Sequence, residues 1–337
     1  MANSTSMFAL RNMRIFFLLL PTLLLTLFGA ARCTSCGTGT GKTDNGVLTL
    51  VTLRGPSAMG MVRVTDSLSR IQHADVQVVM VNEPLQARKL MLEGRADMVL
   101  LPMTLAANTY NRGLDYTLAA VPVWGALYVY GQDTSITRLE DLKGKTVYVM
   151  ARGMTPDVLF RYLLLEHDID PEKDLTLDYR FPTHMDLAGA MAIGKAPLGV
   201  LSEPQASQVI QKNPDVSLLL DLNQEWTLAL QAPMPQTAFL VHTASYKKHR
   251  DKIEAVLAAC EASTRWVNDN QDSAAVLMVK HHILENKEVA VRAISGSGLH
   301  FVRATDIKTA IHDYLQVFYT LDPEIIGGQL PDEAFYQ

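Results

Sequence analysis

Cysteine is nearly absent from this chain, with three in 337 residues. Two of them, Cys33 and Cys36, directly follow an apolar run, and Cys260 stands alone in a helical pattern. A disulfide framework is therefore excluded. A basic excess is missing too: 30 lysines and arginines face 35 acids, for a formal net charge of −5. That excludes the basic face nucleic-acid binding requires. With 19% charged and 48% apolar residues, the chain is neither disordered nor a many-spanning membrane protein. Nine histidines include no HxxxH or HExxH spacing. The adjacent His281 and His282 would diverge by about 100° on a helix, so no metal site is expected. Ser295-Gly296-Ser297-Gly298 lacks the outer glycines of a nucleophile elbow and follows a helical pattern rather than a strand. No dinucleotide fingerprint follows the first strand. Catalytic residues and cofactors are accordingly not expected.

What is present begins with the N-terminus. Arg11 and Arg14 precede the uncharged run 15–30, IFFLLLPTLLLTLFGA, which ends in small residues. Residues 1–35 read as a secretory signal. A retained membrane anchor is the alternative, opposed by Pro21 and the Gly29-Ala30-Ala31 end. Loss of Arg11, Arg14 and Arg32 with the signal would leave an exported part more acidic than the whole. Cys36, or else Cys33, stands where a bacterial lipoprotein signal resembling this one carries its acylated cysteine. Residues 36–46 then form a flexible Gly/Thr-rich tether. Within the tether, Gly41-Lys42-Thr43 imitates a phosphate-binding loop, but Cys36 occupies the position of the required first glycine and no strand precedes it.

Beyond residue 46 the pattern is strand, loop, helix, strand, helix, strand, with short connections. Strands are expected over 47–52, 75–81 and 97–102. Helices are expected from Ser57, as N-cap, to about Ile71, and over 83–93. This is the signature of a parallel sheet in an α/β lobe. The apolar stretch 116–130, broken by Pro122 and Gly125, reads as a strand leaving lobe one, a crossover, and a strand entering lobe two. There, TRLEDLKGKTVYVMARGMTPD (137–157) reads as a short helix, a Gly144 turn, a strand over 146–150 and a helix capped by Thr155. Strands over 175–180, 198–201 and 216–222 follow. The run 226–241, broken by Pro233 and Pro235, reads as the second crossover. From 247 onward the chain reads as helical, with those helices on the outside of lobe one. The lobes are thus 47–123 with 238–337, and 124–237. LEGRADMV (92–99) echoes AIGKAPLG (192–199), which is either an internal repeat of the lobes or a common helix-to-strand turn.

RGPSAMG after the first strand, LEGRADMVLLP, LEDLKGKTVYV, GVLSEPQAS and PQTAFLV occur in this order along 47–320. Together they resemble the type II periplasmic solute-binding proteins of ABC importers, in the nitrate/sulfonate/taurine/thiamine-precursor (pyrimidine) branch. Pro197 departs from the family, which more often has Asp there. The resemblance implies an α/β fold of two lobes, each a mainly parallel sheet flanked by helices and joined by two crossover strands. It also implies a ligand in the interlobe cleft and delivery to an ABC permease and ATPase, by a monomer on the outer side of a bacterial membrane, held by a lipid anchor. An enzyme of the related pyrimidine-synthase type and a ligand-sensing lipoprotein are the alternatives.

Cleft residues should lie on loops beyond the carboxyl ends of strands. These are Ser57, Met59, Gly60, Thr104, Trp124, Met154, Thr155, Glu203, Gln205 and Thr237. Trp124 could stack on a flat ligand or fill a hinge gap. The set of Met, Trp, one carboxylate and small polar groups leans toward a heterocycle with N–H donors. Arg152 and two helix N-termini keep a sulfonate in play.

Overall fold

The computed structural model describes residues 46–72, 74–125 and 127–337. The expected signal, tether and acylated cysteine fall outside them. Among the described residues no helix is long and apolar enough to cross a membrane.

The chain lays down β1 (Leu48–Leu53), β2 (Val76–Val81), β3 (Met98–Pro102) and β4 (Tyr116–Trp124). It then crosses to β5 (Leu127–Gly131), β6 (Thr146–Tyr148), β7 (Thr176–Asp178), β8 (Leu198–Ser202) and β9 (Ser217–Asp221). It returns through β10 (Pro235–His242) and ends its strands with β11 (Leu299–Arg303). The first sheet has the order β11-β4-β10-β3-β1-β2 and the second β7-β6-β8-β5-β9. Setting β11 aside, β2-β1-β3-β10-β4 and β7-β6-β8-β5-β9 are the same arrangement. In each, one strand runs antiparallel to both its neighbours: β10 against β3 and β4, β5 against β8 and β9. That strand is the first one laid after each crossover.

The echo between 92–99 and 192–199 has a structural counterpart. Gly94 N–H donates to Met91 O at 3.0 Å and Arg95 N–H to Leu90 O at 2.9 Å. Gly194 N–H donates to Met191 O at 3.1 Å and Lys195 N–H to Ala190 O at 2.8 Å. Each turn closes a helix and leads into the third position of its sheet, β3 or β8.

Several elements differ from the sequence reading. Ser57 is not a cap: Gly55 holds that place, and Ser57 lies inside a short helix, Pro56–Gly60, followed by Val62–Ser69. Thr155 is the first residue of its helix, and Met154 is the N-cap. The first half of 226–241 belongs to a helix, Leu222–Leu230, with Trp226 buried in it. Strand β11 interrupts the C-terminal helices, with Leu299 and Phe301 facing the core on alternate residues. Trp124 and Pro235 both lie in the first sheet, so the crossovers start later and end earlier than expected. Nor do the C-terminal helices stay with the first sheet. Tyr314, on the helix Lys308–Leu321, packs its ring 5.4 Å from that of Trp226, which also meets Tyr162 at 5.7 Å. One apolar core therefore runs from Leu101 and Leu240 of the first sheet to Val129 and Val147 of the second.

Candidate functional site

The carboxyl ends of β3 and β6 face each other. Thr104, in the first turn of the helix Met103–Asn111, meets Thr155, which opens the helix Thr155–Glu166. Their hydroxyl oxygens are 2.8 Å apart. Thr237 on β10 pairs with Pro102 on β3, which places it beside Thr104 at this seam. Each hydroxyl can donate one hydrogen bond and accept two, so the seam can turn toward the oxygens of a bound solute.

The rim contributed by the second sheet is built from the loops after β6, β7 and β8. Ala151 holds a left-handed backbone, φ 54°, uncommon for a residue with a Cβ and a mark of a constrained loop. Its N–H donates to Pro182 O at 3.0 Å, tying the first loop to the second. Arg152 is exposed, and its guanidinium lies 5.0 Å from the centre of the Tyr179 ring. No carboxylate lies within ion-pair reach of it among the described residues. Tyr179 is held from behind: its hydroxyl donates to Asp157 Oδ1 at 2.7 Å. Burial and that carboxylate push the phenol up to about 12. Arg180, also on this rim, is paired with Asp178 at 2.6 Å and lies 5.7 Å from the Tyr148 ring. Tyr148 and Phe181 have ring centres 5.7 Å apart. Met154 and Met185 are 58% and 62% exposed, unusual for thioethers. Gln205 Nε2 approaches Met185 Sδ at 4.0 Å. His184 Nδ1 is 3.4 Å from Ser202 Oγ, and burial lowers its proton affinity.

Other expected residues lie elsewhere. Met59 is fully buried against Val123, Met278 and Ile294. Gly60 packs on the helix Thr243–Asp269, its carbonyl accepting from Ser263 Oγ at 2.8 Å. Both are core residues, as is Ser57, 6% exposed. Trp124 has its indole N–H donating to His300 O at 2.6 Å and its backbone N–H to Gly298 O at 2.9 Å. Its polar handle is thus fixed to β11. It lines a groove of about 870 Å³ with Pro233, Ile294 and Ile307, at the hinge rather than at the Thr104–Thr155 seam.

Glu203 is 4% exposed. Its carboxylate accepts from Ser207 N–H at 3.2 Å, capping the helix Gln205–Lys212. It also abuts the end of the helix Lys287–Gly296, where a Cβ on Gly296 would lie 2.9 Å from Glu203 Cγ. Tyr128 reaches the same point, its hydroxyl donating to Gly296 O at 2.9 Å. Burial raises the Glu203 carboxyl above the usual range, offset in part by Ser207 and the charge of Arg292. Its partners are protein groups.

Sequence reasoning missed Tyr179, Tyr148, Phe181, His184 and Met185. The signal available was their position: Tyr148 ends β6, and the others directly follow β7. Among the described residues no cluster of three or more His, Cys, Asp or Glu side chains could hold a metal ion.

The chain has recognisable relatives. Residues 57–282 match the family model described as ABC transporter, phosphonate, periplasmic substrate-binding protein. An ABC transporter structure from Parabacteroides distasonis is 28% identical, with a TM-score of 0.75 over 87% of this chain and 99% of that one. The periplasmic aliphatic sulphonate binding protein SsuA of Escherichia coli is 17% identical, with a TM-score of 0.68 over 87% and 95% of the two chains. The Bacillus subtilis (strain 168) binding protein YtlA is 27% identical over 146 residues, a match spanning 43% of this chain and 42% of that one. The two sheets of identical strand order and the family match over most of the chain lead to one assignment: this protein belongs to the family of periplasmic substrate-binding proteins of phosphonate ABC transporters, with their two-lobed α/β fold.

Proposed function

We propose that this chain is the extracytoplasmic substrate-binding component of an ABC importer, and that it captures a small organic oxyanion of the phosphonate or sulfonate kind. The ligand sits between the carboxyl ends of the two sheets and passes to a permease and its ATPase. One observation carries the choice of an anion. Glu203, the carboxylate that would repel an oxyanion, is turned into the protein as a helix cap, while Arg152 stands on the rim without a carboxylate partner. A guanidinium offers paired N–H donors matched to such oxygens. The Thr104, Thr155 and Thr237 hydroxyls supply neutral donors beside it. The aminopyrimidine reading drew on Glu203 and loses that support.

Calorimetry with methylphosphonate, methanesulfonate and an aminopyrimidine tests the reading. The two oxyanions should bind, and Arg152→Gln should weaken them by about tenfold or more, the scale of a charge-assisted hydrogen bond. Binding of the aminopyrimidine alone would restore the heterocycle. Location is tested separately. Labelled fatty acid should enter the protein and be lost in Cys36→Ser; loss in Cys33→Ser instead would move the anchor, and no labelling would remove it.

A further inference from the structure

The rim that carries Arg152 also carries three half-buried rings, Tyr148, Tyr179 and Phe181, and two exposed thioethers. The loops after β6 and β7 are joined by the Ala151–Pro182 hydrogen bond, 3.0 Å. That bond brings two guanidinium–phenol pairs onto one edge: Arg152 on Tyr179 and Arg180 on Tyr148, with Phe181 against Tyr148. Met154 and Met185 stand outside them, more than half exposed.

From this arrangement, and resting on the oxyanion reading above, we infer that the ligand carries an aromatic ring beside its acid group. Arg152 lies over the Tyr179 ring, so its N–H edges remain open to oxyanion oxygens. A stacked guanidinium behaves as a flat, weakly hydrated surface. A second ring can continue that surface, whereas a bare small anion would leave it in water. The thioether sulfurs favour ring edges over saturated carbon. Two long apolar side chains left in solvent on the rim of Arg152, which has no carboxylate partner among the described residues, fit a ligand that covers them when it binds. A solute with only a methyl group beside the acid would use Arg152 and leave Met154, Met185 and Phe181 idle.

The test compares phenylphosphonate, cyclohexylphosphonate and methylphosphonate by calorimetry on the full exported chain. Phenylphosphonate should bind about tenfold tighter than methylphosphonate and several-fold tighter than cyclohexylphosphonate, which has similar size without a π face. In a Met154→Ser, Met185→Ser protein the phenyl-to-methyl ratio should fall to within about threefold. Both side chains are largely in solvent, so the double variant should keep its fold, which its melting curve verifies. Equal binding of the phenyl and cyclohexyl compounds, or a ratio unchanged in the double variant, overturns the inference. If methylphosphonate binds, depends on Arg152, and the ring adds nothing, only this inference falls. If no phosphonate binds, the oxyanion reading falls with it.

Discussion

Thr104 and Thr155 touch hydroxyl to hydroxyl at 2.8 Å, although they come from helices belonging to different sheets. Thr104→Val and Thr155→Val keep shape and remove the bond. Their costs in urea unfolding should be less than additive, with a coupling of about 0.5–1.5 kcal/mol. Purely additive costs would mean that the two hydroxyls do not bond in solution.

Trp124 and Gly298 lock β4 to the start of β11 within the first sheet. A Cβ on Gly298, whose φ is +56°, would fall 1.8 Å from Trp124 O. Gly298→Ala should therefore lower stability by about 2–4 kcal/mol, or prevent folding, since the obstacle is backbone. Trp124→Phe should lower the melting temperature and leave phosphonate affinity per folded molecule unchanged. An affinity loss without a stability loss would return Trp124 to the ligand.

The Glu203 carboxyl is raised by burial, so the folded state holds that proton more tightly than the unfolded chain. Below the unfolded value, about 4.3, both states are protonated and nothing is lost. As pH climbs through the carboxylate range toward the folded value, the unfolded chain ionises first and wild-type stability falls. Glu203→Gln keeps the acceptor for Ser207 N–H but cannot ionise. Its stability relative to wild type should rise from acid toward neutral pH, then level off. A difference flat in pH would place the carboxyl in water.

Tyr314 and Trp226 are both fully buried, yet Tyr314 Oη and Trp226 Nε1 lack hydrogen-bond partners among the described residues. Removing an unsatisfied hydroxyl relieves a desolvation cost. Tyr314→Phe should therefore leave stability unchanged or raise it by up to about 1 kcal/mol, against the usual loss for a core substitution. A loss above about 1 kcal/mol would mean the hydroxyl is bonded in solution.

Alternating strands and helices up to β9 were legible because short strands alternate with helices, three of which open on a proline, Pro56, Pro84 and Pro156. The helix Leu222–Leu230 was not. Trp226 and Leu222 are buried, and the stretch reads as apolar as the strand that follows. Strand β11 did not stand out because LHFVR mixes apolar residues with His300 and Arg303 between two helical patterns. In the site, Thr104 and Thr155 could be found from their places beyond strand ends, whereas Thr237 lies within β10. Arg152 with Tyr179 could not: they become neighbours only once Thr146 pairs with Thr176, and nothing local fixes that register. Glu203 misled because an acid next to a strand end reads equally as a ligand contact or a helix cap.

The strand exchange between the sheets also sets an order of assembly as the chain emerges N-terminus first. All strands of the second sheet have been synthesised by Asp221, whereas β3 and β4 lie apart until β10 is made and inserted between them. The N-terminal part of the chain must therefore wait, with the edges of β3 and β4 unpaired, while the later-made sheet can already close. Chaperone contact with the emerging chain should concentrate on those waiting edges. A protein truncated after Leu230 should keep the second sheet while the first remains open.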